Sequence, residues 1–300
     1  MKEKLVSVVI PSYNRAHLLS KTIPTYIQED VGEVIIVDDC SLDDTKEVVS
    51  RLQNKYPEIK YFRMLKNSKQ TAAKNEGKKH AKYPYIYFGD DDSFILPGTI
   101  HRLLETMDIY SADVVGAKAL YLNNKQEYTH LNKFVFDNSR PITSIEYELN
   151  IKRMFFINFN FDVDTPIRVP FCHACALVKT VVGQQFNFDT RYKGNAFREE
   201  TDYFTQISAA GYKIFYDSKG VQINLPRNFI SGQYQKLFWK VRGSFYEFIN
   251  TYKYFKKNIS YIQRYYQISD SYNSLWFGYL KDALAVKTKK FFKYILKKQN

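Results

Sequence analysis

Three consecutive aspartates, Asp90, Asp91 and Asp92, directly follow an apolar run from Tyr85 to Phe88. A short apolar run of this kind is typical of a buried strand, and the carboxyl ends of such strands border the crevice in which open α/β sheets bind ligands. Carboxylate oxygens are the ligands that hard divalent cations prefer. The placement therefore predicts a site for a divalent cation and a phosphorylated ligand.

Three consecutive aspartates could instead form a solvated turn or the electrostatically favoured start of a helix. The residues that follow them help to decide between these interpretations. Pro97 and the apolar spacing of residues 100, 103, 104 and 107 predict a helix that begins shortly after the acids. We therefore expect the three carboxylates at a corner between a strand and a helix, where ligand sites form.

Strand-like and helix-like segments alternate along most of the chain with short connections. This alternation indicates the α/β fold class, with a mostly parallel sheet flanked by helices. The predicted strands are Val6–Ile10, Val34–Val37, Ile59–Leu65, Tyr85–Gly89, Asp113–Tyr121, Val169–Val178, Tyr212–Tyr216 and Val221–Ile223. The predicted helices are Ala16–Gln28 with a kink at Pro24, Ser41–Lys55, Thr71–Ala81 and Glu199–Ala210, and residues 123–164 are predicted to form a variable insertion.

The composition changes near residues 225–232, which predicts a domain over residues 1–224 and a helical C-terminal segment, residues 225–300. This segment carries 15 Lys and Arg against 3 acids, so that +12 of the net charge of +13 lies in it. Its basic residues alternate with Trp, Phe and Tyr, which suits an anionic membrane surface. The same helices could instead pair two copies of the chain into a homo-oligomer. A basic, aromatic segment could also bind single-stranded nucleic acid, but we do not expect nucleic acid to be a partner of this chain.

Several features favour a reduced, cytoplasmic compartment. No stretch approaches the roughly 18 consecutive apolar residues of a transmembrane helix, and residues 1–4 run directly into a strand rather than into a signal-peptide core. The three cysteines, Cys40, Cys172 and Cys175, are an odd number, and the pair at 172 and 175 has no second pair of metal ligands. Disulfides and a zinc site are therefore not expected.

The sequence contains neither Gly-x-Gly-x-x-Gly nor Gly-x-x-x-x-Gly-Lys, which argues against a dinucleotide dehydrogenase and a P-loop phosphotransferase. Four other segments occur in order. They are Val-Val-Ile-Pro-Ser-Tyr-Asn-Arg at residues 8–15, Val-Asp-Asp-Cys-Ser-Leu-Asp-Asp-Thr at 37–45, the aspartates at 90–92, and Arg-Glu-Glu-Thr-Asp-Tyr at 198–203 followed by Gly-Tyr-Lys-Ile at 211–214. In order and spacing these segments closely resemble the family 2 glycosyltransferases of the GT-A fold. The resemblance spans residues 6–223.

The resemblance implies a GT-A (Rossmann-like) domain that binds a UDP-sugar as donor. Residue by residue, Tyr13 is similar to the aromatic side chain beside the nucleotide base, and Pro11 shapes its loop. Arg15 closes the same motif and is assigned with it to donor binding.

Asp39 resembles the acid that accepts a hydrogen bond from uracil, with Asp38 supporting the loop. Lys74 stands where the family usually has Arg, so it is expected near a phosphate as a point charge rather than a fork.

The aspartate cluster is similar to the family's Asp-x-Asp motif, aligned through Pro97. This resemblance assigns Asp90 and Asp92 to a Mn²⁺ or Mg²⁺ ion that bridges a nucleoside diphosphate. We expect Asp92 to be the direct ligand and Asp90 to reach the ribose or a metal-bound water. Asp91 then occupies the variable position of the donor site.

Glu200 stands where the family commonly has the Asp that acts as general base. In an inverting transfer, one carboxylate takes the proton of the acceptor hydroxyl while the hydroxyl oxygen attacks the anomeric carbon.

Asn224 is a departure, since a His at this position often contributes to the family's metal site. His173 lies on a predicted strand that would line the acceptor side, where core packing is the commoner role. The loop at residues 189–195 is a further candidate for the border of that cleft.

The predicted function is therefore inverting, metal-dependent transfer of one sugar from a UDP-sugar to a hydroxyl of a glycan or lipid-linked glycan, as in surface polysaccharide synthesis. The expected location is the cytoplasm, with peripheral attachment to the inner face of the cell membrane through the C-terminal segment. Two alternatives stay open. A sugar nucleotidyltransferase would use a similar domain and release pyrophosphate, and a non-catalytic glycan-binding or scaffold protein would keep the fold without turnover.

Overall fold

Residues 3–143, 159–226 and 237–298 are described by a computed structural model of the chain. Its centre is one sheet with the strand order β3-β2-β1-β4-β8-β6-β9-β5, and β7 pairs with β9 outside this path. The strands are β1 (Val6–Ser12), β2 (Val31–Asp38), β3 (Ile59–Arg63), β4 (Tyr85–Phe88), β5 (Ser93–Ile95), β6 (Val114–Tyr121), β7 (Ile167–Arg168), β8 (Ala176–Lys179) and β9 (Ile214–Asn224).

The strands β3, β2, β1 and β4 run parallel to one another. Beyond β4 the sheet becomes mixed, because β8 runs antiparallel to both β4 and β6, whereas β6 and β9 are parallel. Every residue of β1 is buried. A strand that is buried along its whole length is typical of a parallel sheet that is covered on both faces. The α/β class and the predicted parallel sheet flanked by helices are thus confirmed.

The helices that flank this sheet come from most of the chain. In order they are α1 (Ala16–Thr22), α2 (Thr45–Lys55), α3 (Lys69–Lys79), α4 (Thr99–Ile109), α5 (Lys125–Thr129), α6 (Leu131–Asp137), α7 (Thr180–Gly183), α8 (Glu199–Ala209), α9 (Leu237–Tyr266) and α10 (Tyr272–Lys298). Among the described residues, no helix combines the length and the hydropathy needed to cross a membrane.

Successive residues of β1 face opposite layers, as the pleat of a strand requires. Val8 and Ile10 pack in one apolar cluster with residues of α1, α2 and α4. Val9 packs in the other cluster, together with Ala73 of α3 and Phe204 of α8. The sheet therefore separates two cores, and α3 and α8 lie on the same face.

The C-terminal helices share the second of these cores. Tyr254, Phe255 and Ile262 of α9 and Tyr279 of α10 are buried in the cluster that contains Val9 and Phe204. These aromatic side chains contribute to the interior of the molecule rather than to an exposed surface. The boundary predicted between residues 224 and 225 stays a prediction.

Several predicted elements are wrong in extent. The helix predicted for residues 16–28 ends at Thr22 and continues as a 3₁₀ turn over Ile23–Tyr26, which contains Pro24. Proline at this position removes a backbone donor that a continuing α-helix would need. The strand predicted for residues 59–65 ends at Arg63. Residues 144–158 of the predicted insertion lie outside the described residues.

Three further differences lie around the site. The strand predicted for residues 169–178 is limited to β8, which begins only at Ala176. The two short strands predicted near residues 212–216 and 221–223 form the single strand β9. The aspartates do not lead directly into a helix, because β5 follows them and pairs with the end of β9. The hydrophobic periodicity and apolar content of a segment could not predict these pairings, because the neighbouring strands that decide them are distant in sequence.

Candidate active site

The carboxyl ends of β1, β2 and β4 border a cleft of about 250 Å³, here called the donor cleft after the sequence prediction for its residues. This is the edge at which open α/β sheets bind ligands. Its wall includes Pro11, Ser12, Tyr13, Arg15, Asp39, Asn67, Lys69, Gln70, Asp90, Asp91, Asp92, Gly194, Asn195 and Ala196. Six of the predicted donor-site residues together with Asp92 thus meet at one cleft, whereas Lys74 does not contribute to its wall.

Asp38 and Asp39 follow each other at the end of β2 and have different contacts. Asp38 is buried and accepts hydrogen bonds from the Tyr61 hydroxyl (2.6 Å), the Arg63 guanidinium (2.7 Å) and the backbone N–H of Ser41 (2.8 Å). Asp38 therefore fixes the loop after β2.

Asp39 points the other way and reaches the donor cleft. Its two carboxylate oxygens accept hydrogen bonds from the backbone N–H groups of Ser68 (2.6 Å) and Lys69 (2.8 Å). Lys69 has a positive φ of 73°. Each carboxylate oxygen has a second lone pair, so Asp39 can still accept a hydrogen bond from a ligand.

The loops after β1 and β2 are joined by hydrogen bonds around Asn14. The backbone N–H of Asn14 donates to the Ser41 hydroxyl (2.9 Å), and the side-chain carbonyl oxygen of Asn14 accepts from the N–H of Leu42 (2.8 Å). Next to it, Tyr13 is 39% exposed. An exposed aromatic ring on a fixed loop can stack on a planar ligand.

Other residues hold the turn of the three aspartates through hydrogen bonds to its backbone atoms. The Tyr26 hydroxyl contacts the N–H and the carbonyl of Asp90 (3.2 and 3.1 Å), and the N–H of Leu225 donates to the carbonyl of Asp92 (2.8 Å). These bonds fix the backbone of the turn, and all three aspartates line the cleft. The Gln222 side-chain amide of β9 donates to a carboxylate oxygen of Asp90 (3.3 Å).

Burial dominates the electrostatics of this turn. It raises the pKa of Asp90 to about 7 and that of Asp91 to about 8, and it also raises the pKa of Asp92. The neighbouring carboxylates add to the increase at Asp90 and Asp91, whereas Arg15, 4.0 Å from Asp91, opposes it at Asp91. Buried carboxylates that repel one another gain stability from a bound cation.

The donor set fits Mg²⁺ or Mn²⁺, because these ions prefer carboxylate oxygens. Among the described residues, no group of three or more His, Cys, Asp or Glu side chains converges as a metal site. An ion held by one or two carboxylates normally completes its shell with substrate phosphates and water. Asn224, which replaces the expected His, donates from its side-chain amide to the carbonyl of Leu120 (3.1 Å).

A second cleft of about 780 Å³ adjoins the donor cleft and is here called the acceptor cleft, because the sequence predicts Glu200 and His173 on the acceptor side. The two clefts share Gln70, Asn195 and Ala196. The remaining wall of the acceptor cleft consists of Tyr121, Leu122, Asn123, His173, Phe197, Arg198, Glu199, Glu200, Thr201 and Leu225. A ligand in one cleft can therefore approach a ligand in the other.

Glu200 lies in the first turn of α8 and its side chain is 24% exposed. One of its oxygens accepts from the Lys74 ammonium (2.6 Å) and the other from the N–H of Ala174 (3.2 Å). Burial alone would raise the pKa of Glu200, but Lys74, together with His173 and the N–H of Ala174, outweighs it and the net shift is downward. Glu200 is therefore ionised at neutral pH, as a proton acceptor must be.

Lys74 of α3 is fully buried, and its pairing with Glu200 was not predicted from the sequence. Its ammonium contacts Glu200 at 2.6 Å and Glu199 at 3.2 Å. Burial favours the neutral amine, yet the two carboxylates raise the pKa of Lys74 above its ordinary value. The expected phosphate contact of Lys74 stays a prediction, while its observed contacts are with the acids of α8. Lys74 and Glu200 are 126 residues apart, so no local pattern indicates the pair.

Glu199 is the second carboxylate at this place. One oxygen accepts from Lys74 and from the Gln70 side-chain amide, and the other has no hydrogen-bond partner among the described residues. Burial raises the pKa of Glu199. Lys74 thus holds two neighbouring acids whose pKa values shift in opposite directions.

His173 lies in the wall of the acceptor cleft, ahead of β8 rather than on a strand, and its contact with an acceptor stays a prediction. Its ring packs edge-on against Phe159, with centroids 5.2 Å apart. Of the loop at residues 189–195, Gly194 and Asn195 reach the clefts. Sequence reasoning missed Gln70 and Tyr121. Only their positions, in the first turn of α3 for Gln70 and at the carboxyl end of β6 for Tyr121, could have indicated them.

Comparison with known proteins agrees with this fold. The family model "Glycosyl transferase family 2" matches residues 7–178, which is more than half of the 300-residue chain. The chain therefore belongs to glycosyl transferase family 2.

Relatives with assigned names match part of the chain. It is 38% identical over 115 residues to the GalNAc(5)-diNAcBac-PP-undecaprenol beta-1,3-glucosyltransferase of Campylobacter jejuni, covering 37% of each protein. It is 27% identical over 124 residues to the poly(ribitol-phosphate) beta-N-acetylglucosaminyltransferase TarS of Staphylococcus aureus, covering 40% of this chain and 22% of TarS. The chain thus spans well under two thirds of the length of these relatives.

Solved structures agree in fold. TarS 1-349 of S. aureus in complex with UDP-GlcNAc has a TM-score of 0.57 at 17% identity, over 83% of this chain and 65% of that one. The mannosyltransferase PcManGT of Pyrobaculum calidifontis, in complex with GDP-Man and Mn²⁺, has a TM-score of 0.56 at 15% identity, over 96% and 76%. At these identities the likeness shows the GT-A fold alone.

Proposed function

We propose that this chain is an inverting glycosyltransferase that moves one sugar from a UDP-sugar to a hydroxyl of a glycan or lipid-linked glycan. One observation carries the proposal. An ionised carboxylate, Glu200, lines a large cleft that adjoins the cleft of the three aspartates. A proton acceptor beside a site for a charged leaving group is what inverting transfer requires.

In the proposed reaction, a carboxylate oxygen of Glu200 takes the proton of the acceptor hydroxyl. The hydroxyl oxygen forms a bond to the anomeric carbon while the bond from that carbon to the diphosphate oxygen breaks, and UDP leaves with the bonding electrons. Lys74 keeps Glu200 ionised before the transfer. The transfer needs no covalent intermediate with the protein.

Asp92 and Asp90 would hold Mn²⁺ or Mg²⁺, and the bound ion would supply stabilisation of the charge on the departing diphosphate. The uracil preference is supported by Asp39, whose carboxylate reaches the donor cleft, and by the UDP complexes of the structurally similar TarS. Tyr13 would stack on the base, with Pro11 and Arg15 beside it.

A nucleotide panel tests the donor class. Thermal unfolding of the protein is measured with UDP, GDP, CMP or dTDP, with and without Mn²⁺, and repeated with Asp92→Asn. Because a ligand that binds only the folded state raises its apparent stability, we expect a Mn²⁺-dependent shift with UDP that Asp92→Asn abolishes. A larger shift with GDP would overturn the UDP assignment. No shift with any nucleotide would favour the non-catalytic scaffold.

The reaction products separate transfer from nucleotide activation. A glycosyltransferase releases UDP from a UDP-sugar, whereas a nucleotidyltransferase releases pyrophosphate from a nucleoside triphosphate and a sugar phosphate. We expect UDP release from a panel of UDP-sugars. Pyrophosphate release instead would show the nucleotidyltransferase alternative to be right.

We further propose that the C-terminal segment contacts an anionic membrane surface. Support comes from three exposed apolar side chains, Phe245, Phe277 and Leu284, which are 59%, 61% and 51% exposed. The segment also carries most of the net positive charge. Apolar anchors with basic neighbours bind anionic lipid surfaces.

Sedimentation with vesicles of anionic lipid tests this contact. The double variant Phe245→Ser/Phe277→Ser should lower the bound fraction, whereas Leu65→Ser, at an exposed apolar residue outside the segment, should not. Equal binding by the double variant, the control and the wild type would overturn the membrane proposal. Retention by single-stranded DNA rather than lipid would assign the segment to nucleic acid.

A further inference from the structure

The loop at residues 193–198 lines both clefts. Gly194, Asn195 and Ala196 contribute to the donor cleft, and residues 195–198 contribute to the acceptor cleft. Its backbone has positive φ at Gly194 (69°), Ala196 (54°) and Arg198 (78°). Positive φ is unfavourable for Ala and Arg, so contacts outside the loop must hold this conformation.

The first of these contacts comes from Asn250 of α9. Its side-chain oxygen accepts from the N–H of Lys193 (3.2 Å), and its amide nitrogen donates to the carbonyl of the same residue (2.8 Å). Asn250 is fully buried. A buried amide that satisfies both backbone groups of one residue fixes the start of the loop, because either group would be costly to leave unpaired.

The second contact is the ring of Tyr246, one helical turn earlier on α9. A Cβ atom added to Gly194 would lie 2.6 Å from a ring carbon of Tyr246. The ring therefore packs directly on the backbone of Gly194, at a distance that no side chain on that residue would permit.

The third contact is made at the end of the loop. The guanidinium of Arg198 lies over the rings of Tyr254 and Tyr279, 5.8 and 5.5 Å from their centroids. These rings belong to α9 and α10. The Nε atom of Arg198 donates to the Thr251 hydroxyl at 3.5 Å. Arg198 directly precedes Glu199 and Glu200, so the C-terminal helices hold the residue at which the acids of α8 begin.

We propose that α9 and α10 complete the active site by positioning the 193–198 loop, with Asn250 and Tyr246 as positioning residues. The consequence for sugar transfer rests on the function proposed above, whereas the consequence for loop order does not. The C-terminal segment then has a second role besides any contact with a membrane.

A double-mutant cycle tests the Tyr246 contact, with UDP and MnCl₂ as the probe and calorimetric affinity as the readout. Gly194→Ala should weaken UDP binding about tenfold, because the added methyl group forces the ring and the loop apart and positive φ is strained for Ala. The matched control is Gly211→Ala, which also has positive φ (98°) but has no atom within 4 Å of the added Cβ. It should leave UDP affinity within about twofold.

The cycle is completed by Tyr246→Ala and the double variant. If the ring positions the loop, Gly194→Ala should cost at least about threefold less affinity in the Tyr246→Ala background, since the two residues are coupled. The same loss in both backgrounds would overturn the proposal for Tyr246.

Hydrogen exchange tests Asn250 without any ligand. Asn250→Ala should speed the exchange of amides at residues 193–198 about tenfold or more, because the loop opens more readily. Ile262→Val is the control, since Ile262 is also fully buried on α9 but packs in the core. A loop that exchanges equally in both variants would overturn the role of Asn250.

The two sets of results separate this proposal from the proposed function. Loss of loop protection in a protein that binds no nucleotide would support positioning and contradict the UDP-sugar assignment. Nucleotide binding with unchanged loop protection and no coupling would support the function and contradict positioning.

Discussion

The donor cleft and the acceptor cleft are built in different ways. Tyr13, Asp39 and Asp92 each lie within a few residues of the carboxyl end of a parallel strand. Glu200 and Lys74, by contrast, lie on two helices and meet across 126 residues of sequence. The difference teaches that the predicted donor-site residues at the strand ends come from local motifs placed by the sheet, whereas the pair of Lys74 and Glu200 depends on a contact between distant elements.

The largest expected effect is at Glu200, the proposed proton acceptor. Glu200→Gln should lower kcat about a thousandfold, since a side chain that moves a proton in the transition state contributes on this scale. UDP affinity should stay within about threefold, because donor binding depends on the other cleft. Steady-state kinetics and calorimetry measure the two quantities. A loss of UDP affinity equal to the loss of kcat would contradict the separation of the clefts.

The donor side is tested at Asp39. Asp39→Asn should weaken UDP binding by roughly ten- to a hundredfold, because a hydrogen bond to a charged group contributes about 1.5–3 kcal/mol and each ~1.4 kcal/mol is tenfold in affinity. Asp43→Asn is the control on the same loop, since Asp43 accepts from the N–H of Ala16 and does not line the donor cleft. Equal losses for the two variants would indicate a general effect on the loop rather than recognition of the base.

The contact between α3 and α8 is tested through pH. Without the Lys74 ammonium, the pKa of Glu200 should rise, because burial still acts while the largest opposing contribution, from Lys74, is lost. Glu200 accepts a proton only while ionised, so activity is lost as pH falls through its pKa, and Lys74→Met should move this loss to higher pH. The measurement is kcat/KM against pH.

Lys78→Met is the matched control for the pH experiment. Lys78 is also buried on α3, but its ammonium donates to the backbone carbonyls of Gly183 and Phe186 rather than to a carboxylate. The pH at which kcat/KM of this variant falls on the acidic side should therefore be the same as in the wild type. An equal shift in both variants would show that the pH dependence does not come from the pair of Lys74 and Glu200.

The smallest functional effect is expected at Asp202 of α8, which accepts from Lys257 (2.6 Å) and Asn258 (2.8 Å) of α9. Asp202→Asn should lower the free energy of unfolding by about 1–3 kcal/mol, because a buried polar contact is weakened. Chemical denaturation measures it. The exposed Asp137, paired with Lys133, is the control, and its Asn variant should change stability little. A loss of kcat far beyond the loss of stability would extend the positioning role of α9 to Asp202.

Much of the donor half was predictable from the sequence. Strands β1, β2 and β4 are buried apolar runs, and the polar residues that follow them meet because parallel strands end at one edge of a sheet. The acceptor half was predicted less well. Residues 169–178 read as one strand, whereas pairing with β4 and β6 limits regular structure to β8. Pairing with strands that are distant in sequence therefore decided which apolar residues form a regular strand.

The sequence by itself determined the family, the α/β class and the residues that end the strands of the donor cleft, because short periods and local motifs specify them. The tertiary structure alone decided that Lys74 joins Glu199 and Glu200, and that Asn250 holds Lys193. It also turned the aromatic residues Tyr254 and Tyr279 inward. Such contacts join residues far apart in the chain, and burial determines their partners because a buried charge or amide must be paired.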